Sequence, residues 1–294
     1  MLPASGQALR QVVVASRRTD LLAGYTAFLK QALEEGSVLV AGPGGGVPRR
    51  VSLLPEDVHS LVLLTKNAES ILSDGSLRRL LERYDQVVVQ LTVTGLGGTA
   101  LEPGVPPMQR VLEQLGALVQ WLGEPRRLTV RFDPIVHWAE GGAIRSNAPC
   151  AAAVLEACAA AGVRQVRISF ATLYRKMRRR GVQWFDPPLE EKLALTKEIV
   201  RQASHLGISV ANCAQPFLAL AGAHSSGCID GAFLQELHPL RLQAPTRRDR
   251  GQRPHCLCTQ SVDIGSYAQK CPGGCLYCYA NPAWKGPPSA AQAR

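Results

Sequence analysis

Lysine is scarce in this chain. Of its 33 basic residues only 7 are lysine, so the excess over 23 acidic residues, a net charge of +10, rests almost wholly on arginine. Guanidinium is a planar fork suited to phosphate and carboxylate, so the charge points to an anionic substrate or nucleic acid as readily as to an arginine-rich codon bias. No apolar run is long enough to cross a bilayer, and the opening MLPASGQALR lacks the apolar core of a secretory signal. The expectation is a cytoplasmic protein with reduced thiols and no membrane partner. No Lys-Ser or Lys-Thr follows the glycine run at 42–46, which excludes a phosphate-binding P-loop, and Gly95-Leu-Gly97-Gly98 lacks the dinucleotide spacing. Among nine cysteines there is one Cys-x2-Cys pair, so the twin knuckles of a zinc ribbon are missing.

What the sequence does contain is alternation. Short runs rich in Val, Ile and Leu at 11–16, 61–64, 87–93, 128–132, 163–170 and 208–212 read as buried parallel strands. Between them, 25–35, 68–83, 106–122, 149–161 and 188–206 carry helical patterns. Segments 37–41 and 50–54 flank a glycine-rich hairpin tip. The composition, 46% apolar over 294 residues, supports one sizeable core. The predicted class is α/β, a (βα)6 to (βα)8 TIM-like partial barrel, with residues 1–238 as barrel, 239–282 as a Cys-rich segment capping its mouth and 283–294 as a flexible tail.

Polar residues collect just after the strands: Ser16, Arg17, Arg18 and Asp20 after the first, Lys66 after the second, Arg131 and Asp133 at the end of the fourth. That is where ligands sit in parallel α/β sheets. Asp20 also suits a helix N-cap, and Arg131 with Asp133, two apart on one strand face, also suits an ion pair. The basic run Arg175–Arg180, interrupted only by Met177, fits a solvated face or a phosphate-holding loop.

The thiols carry the most specific signal. Cys271-Pro-Gly-Gly-Cys275-Leu-Tyr-Cys278-Tyr-Ala sets three cysteines at Cys-x3-Cys-x2-Cys spacing. Three thiolates can wrap one face of a [4Fe–4S] cluster and leave one iron open; zinc is the competing metal. Cys150 and Cys158 lie in an alanine-rich helix and suit packing. Setting them aside leaves four more, Cys213, Cys228, Cys256 and Cys258, enough to ligate a second centre, either an auxiliary [4Fe–4S] cluster or zinc.

The cysteine loop resembles the radical S-adenosylmethionine (SAM) superfamily, and its Cys-Leu-Tyr-Cys-Tyr ending is especially similar to spore-photoproduct-lyase and photolyase-like members. Ala15-Ser-Arg-Arg-Thr-Asp20, Leu64-Thr-Lys-Asn67, Arg131-Phe-Asp-Pro-Ile135, Ser226-Gly-Cys-Ile-Asp230 and Ser261-Val-Asp-Ile-Gly265 together resemble an uncharacterised bacterial family with a radical-SAM-like C-terminal cysteine cluster. The resemblance implies SAM on the open iron of a cluster held by Cys271, Cys275 and Cys278, a reductase or small electron donor, and an anionic substrate for which nucleic acid is the leading class. It makes Ser16, Arg17, Arg18, Lys66 and Tyr277 cofactor-binding candidates, and Arg17, Asp20, Arg131 and Asp133 catalytic ones. Here the loop comes last in the chain instead of after the first strand, and no Gly-Gly-Glu motif is present. If residues 260–265 insert as the strand before the loop, the barrel is circularly permuted, with 11–16 as its next strand. The alternatives are a non-catalytic metal-binding barrel and an electron-transfer partner.

Overall fold

The computed structural model describes residues 9–42 and 46–280; the predicted tail at 283–294 lies outside them, as does part of the glycine-rich tip. Its centre is a sheet of eight strands: β1 Gln11–Ala15, β2 Val58–Thr65, β3 Val87–Thr92, β4 Leu128–Ile135, β5 Gln165–Phe170, β6 Ser209–Asn212, β7 His224–Ser225 and β8 Val262–Asp263. The spatial order is β8-β1-β2-β3-β4-β5-β6-β7, and every neighbouring pair is parallel. β8 pairs Val262 with Val13 and Asp263 with Val14, so the strand before the cysteine loop does lie beside the first strand.

The two faces of the sheet are buried by different means. Val13, Ala15, Leu61, Leu63, Val89, Leu91, Val130 and Phe132 point into the main core. Helices such as Thr26–Glu34, Gln114–Leu122, Ala151–Ala160 and Leu189–His205 cover that face with Leu29, Leu118, Val154 and Ile199. The alternate residues Val12, Val14, Val62 and Val88 face the other way, onto Ile229, Leu234, Ala244, Cys256 and Cys258. Burial on both faces is why these strands read as unbroken apolar runs. Residues on either side of position 238 thus share one apolar cluster.

The sheet is open. Among the described residues β7 and β8 are its two edges and do not pair with each other, so the closed end of the predicted (βα)8 range is not reached. The chain from 228 to 258 occupies the second face instead. Buried polar side chains on the strands and beside them bond its carbonyls: Gln86 Nε2 donates to Leu234 O at 2.9 Å, Arg167 Nη1 to Ser226 O at 2.8 Å, His59 Nε2 meets Leu242 O at 2.9 Å, and Gln90 bonds Cys228 O. A non-strand segment needs such partners when it is buried.

Within this layer the helix Gly231–Leu237 starts at Asp230, whose carboxylate accepts from the N–H groups of Ala232 and Phe233. Asp230→Ala is expected to cost about 1 kcal/mol, the usual loss of an N-cap. Urea unfolding measures it, and an unchanged midpoint would mean that tertiary packing alone holds the helix.

His59 and His238 lie against each other with ring centroids 4.5 Å apart and planes tilted by 46°. Burial first, and His59 second, hold the His238 imidazole down to about 4; burial also depresses His59. Arg10 and Arg127 oppose protonation of His238, while Asp85 favours it. The unfolded chain takes these protons near the ordinary value of about 6.5. Stability is therefore full above that value and falls as pH drops from about 6.5 toward about 4. Urea midpoints across that window are expected to decline with a slope that shrinks in His238→Gln. Equal slopes in the two proteins would remove the pair as the cause.

Candidate metal centres at the sheet's carboxyl edge

The chain leaving β8 is tied to the end of β1. Ser16 Oγ donates to Asp263 Oδ1 at 2.6 Å, and the Arg17 N–H donates to Oδ2 at 2.8 Å. Arg17 Nη2 reaches Ser261 Oγ at 2.7 Å; Arg18 Nη1 reaches Gly265 O at 2.9 Å and its guanidinium lies 5.4 Å over the Tyr267 ring. These three predicted cofactor residues dock the approach to the cysteine loop. Asp20 is an N-cap: it accepts from Ala23 N–H at 3.0 Å, and also from Lys66 N–H at 2.8 Å and Thr65 Oγ1 at 2.9 Å. Burial pushes its carboxyl up, against the pull of those donors.

Cys278 N–H donates to the Cys275 carbonyl at 3.1 Å, and Cys271 and Cys275 flank Gly273. A Cβ added there would sit 3.4 Å from Cys275 Sγ and 3.9 Å from Cys271 Sγ, so a side chain would fill the cradle between the thiols. The Asp20 and Gly273 N–H groups both bond the Cys271 sulfur, and Cys275 is 5% exposed. Burial pushes the Cys271 and Cys275 thiols up, so a metal would have to displace their protons.

The loop rests on a buried polar platform. Lys66 Nζ donates to Glu102 Oε1 and to Tyr277 Oη, each at 2.9 Å, Thr94 Oγ1 donates to Glu102 Oε1 at 2.6 Å, and the Tyr277 hydroxyl also bonds Glu102. Burial presses the Lys66 ammonium down, but Glu102 and Cys275 outweigh it and its pKa ends above the ordinary value. Backbone contacts complete the seat: Leu276 N–H bonds Leu101 O and Gly104 N–H bonds Gly273 O. Position 104 must be glycine for this approach, since a Cβ there would lie 1.9 Å from Pro272 O. Arg180, at the end of the basic run, is buried and donates to Leu276 O at 2.8 Å and Cys275 O at 3.3 Å.

Sequence reasoning passed over Glu102, which meets partners far along the chain with nothing local to mark it. Arg180, read with its basic run as a solvated face or a phosphate-holding loop, is instead buried against loop carbonyls; Asp263, quoted only within a family motif, could have been found as the polar end of the strand before the loop.

The other four thiols also meet. Cys213 Sγ lies 3.4 Å from Cys228 Sγ, and Cys258 lies near Cys228 and Cys256. The Ile229 N–H and Arg253 Nη2 each reach a sulfur at 3.5 Å, Cys258 and Cys213 respectively. Arg131 faces Cys228 and Cys213, and Arg167 faces Cys228. Arg131 pairs with Asp133, which also accepts from Ser169 Oγ. Two of the four predicted catalytic residues, Arg131 and Asp133, thus stand beside this second thiol set, and Lys66 stands beside the first. Cys158 is fully buried in the main core, with Cys150 packed against it, as their helix suggested. Among the described residues no three His, Cys, Asp or Glu side chains are already arranged to hold one ion.

No helix is long and apolar enough to cross a membrane among the described residues. No curated protein matches the chain. A family model does, over residues 12–280, and on that match the chain belongs to the family described as a domain of unknown function, DUF1848.

Proposed function

We propose that the protein is a radical SAM-type iron–sulfur enzyme acting on an anionic substrate. One observation carries this reading: a three-thiol loop directly follows a strand laid parallel beside β1, at the sheet edge where polar strand ends gather. The consecutive parallel order suits a TIM-like partial barrel whose first strand is β8, a circular permutation of the usual radical SAM arrangement.

The donor set fits the group. Cys271, Cys275 and Cys278 would hold a [4Fe–4S] cluster, with the Asp20 and Gly273 N–H groups steadying charge on the Cys271 sulfur. Bound there, the cluster with SAM on its open iron supplies one-electron cleavage of the sulfonium and hence a 5′-deoxyadenosyl radical for hydrogen abstraction. Lys66 places a positive charge behind the Cys275 side of the loop, and Tyr277 fixes the segment between the last two ligands. Arg180 holds the carbonyls on the opposite side, which keeps the three sulfurs in one cradle. Arg17 and Arg18 stand at the same edge as cations for an anionic ligand, nucleic acid being the favoured class because the chain is basic.

A second reading, a non-catalytic metal barrel or an electron-transfer protein, is favoured by one fact. Ser16, Arg17, Arg18, Asp20, Lys66, Arg131 and Asp133 are all bonded within the protein. Anaerobic reconstitution with iron and sulfide, then dithionite and SAM, separates the readings. Deoxyadenosine formed in proportion to protein supports the enzyme. Reducible iron without deoxyadenosine leaves electron transfer, and zinc without iron leaves the stapled barrel.

A further inference from the structure

We propose that Cys213, Cys228, Cys256 and Cys258 form a second metal centre, a tetrathiolate site for a single tetrahedral divalent ion, zinc by preference. The proposal stands whether or not the 271–278 loop holds a cluster.

Four thiols reach this place from three separate stretches: after β6, after β7, and the extended 256–258 segment. Cys213 meets Cys228 at 3.4 Å, and Cys228 packs in one cluster with Cys256 and Cys258, which places the four in the order 213, 228, 258, 256. Three are buried and Cys228 is nearly so, whereas Leu257, between two of them, is exposed, so the extended segment turns both sulfurs inward. Unliganded thiols rarely gather four deep in an interior that offers them only one another.

The charges around the chain suit the ion. A divalent ion on four thiolates carries two negative charges, and Asp133 beside it adds a third. Arg131, Arg167 and Arg253 match them, and the buried Nε of Arg131 and of Arg167 finds no partner among the described residues. Buried Arg167 and part-buried Arg131, with Arg253 on the exposed side, outnumber the one carboxylate until thiolates are counted. The Ile229 N–H and Arg253 Nη2 then serve as donors to sulfur, the usual supporting shell of a thiolate site.

Spacing selects a single ion over a cluster. With zinc–sulfur bonds of about 2.3 Å, a tetrahedron has sulfur–sulfur edges of about 3.8 Å. The observed 3.4 Å between Cys213 and Cys228 is close to that edge. In a cubic cluster each thiolate sits on its own iron and the sulfurs stand farther apart. Binding closes the chain by drawing its ends, Cys213 and Cys256, around the ion, and the remaining thiol protons pass to solvent.

The test is metal content and spectrum of the full chain, without any activity assay. The wild-type protein and Cys275→Ser are each expected to carry about one zinc per chain, while the Cys228→Ser and Cys258→Ser proteins lose it. Because those variants could fail to fold, wild-type protein produced with cobalt supplies an independent reading. Intense visible bands of tetrahedral cobalt with sulfur charge-transfer absorption are expected, and they should persist in Cys275→Ser. Three results would overturn the proposal: roughly four irons that follow Cys228 and not Cys275, a Cys213–Cys228 disulfide by mass in anaerobically prepared protein, or wild-type protein that takes up neither zinc nor cobalt.

Discussion

In the Cys275→Ala protein, reconstitution is expected to leave the chain short of roughly four irons, with deoxyadenosine at the no-enzyme background, while the fold survives. Two thiolates cannot wrap a cluster face that three define, so binding is lost outright instead of merely weakened. The fold survives because Cys275 belongs to a small satellite cluster with Leu96, Leu101, Val105, Val136, Met177 and Tyr277, away from the main core. Removing a sulfur from such a site costs about 1 kcal/mol, far less than the main core supplies. Cys158→Ala is the matched control: that thiol is fully buried between helix and sheet, and its loss should leave iron unchanged. Retention of iron and deoxyadenosine by Cys275→Ala would move the ligands elsewhere and end the proposed chemistry.

Glu102→Ala is expected to destabilise the protein by about 3–5 kcal/mol, the cost of removing one member of a buried ion pair. Glu102 is 1% exposed and receives Lys66, Tyr277 and Thr94 together. Its loss strands an ammonium and removes the acceptor of two hydroxyls. Glu102→Gln keeps an acceptor and should cost less. Because Tyr277 lies between Cys275 and Cys278, Glu102→Ala should also lower iron retention at constant protein. Urea unfolding reads the first effect and iron content after gel filtration the second. A loss below about 1 kcal/mol, as for a surface pair, would show that Lys66 finds an equivalent partner and that the platform does not hold the loop.

The parallel strands were legible because both their faces are apolar. Val12-Val13-Val14 and Val87-Val88-Val89 cannot be placed anywhere but inside. β2 starts at Val58, earlier than its apolar run, since His59 and Ser60 are buried yet polar and are satisfied by each other and by Leu242. The predicted helix at 68–83 is two, because Asp74 caps a new start at Gly75–Leu81. The hairpin His137–Glu140 and Ala143–Ser146 went unread although Gly141-Gly142, both at positive φ, is its turn signal. Cysteine spacing pointed to the first thiol set, and elimination to the second, because thiols declare themselves by residue type. The supports did not: Glu102 meets Tyr277 across 175 positions and Arg180 meets Leu276 across 96, distances over which sequence carries no local trace.

The seating of β8 beside β1 bears on the order of events in synthesis. Ser16 waits for Asp263 across 247 positions, so the outer edge of β1 stays uncovered by β8 until residue 263 has emerged from the ribosome. Strands β1 to β7 can be laid down in the order they are made, each against its predecessor, and only then does the chain return to its beginning. The three-thiol loop lies beyond that return. If the loop takes a metal as proposed, that metal would meet a sheet whose eight strands have already been made.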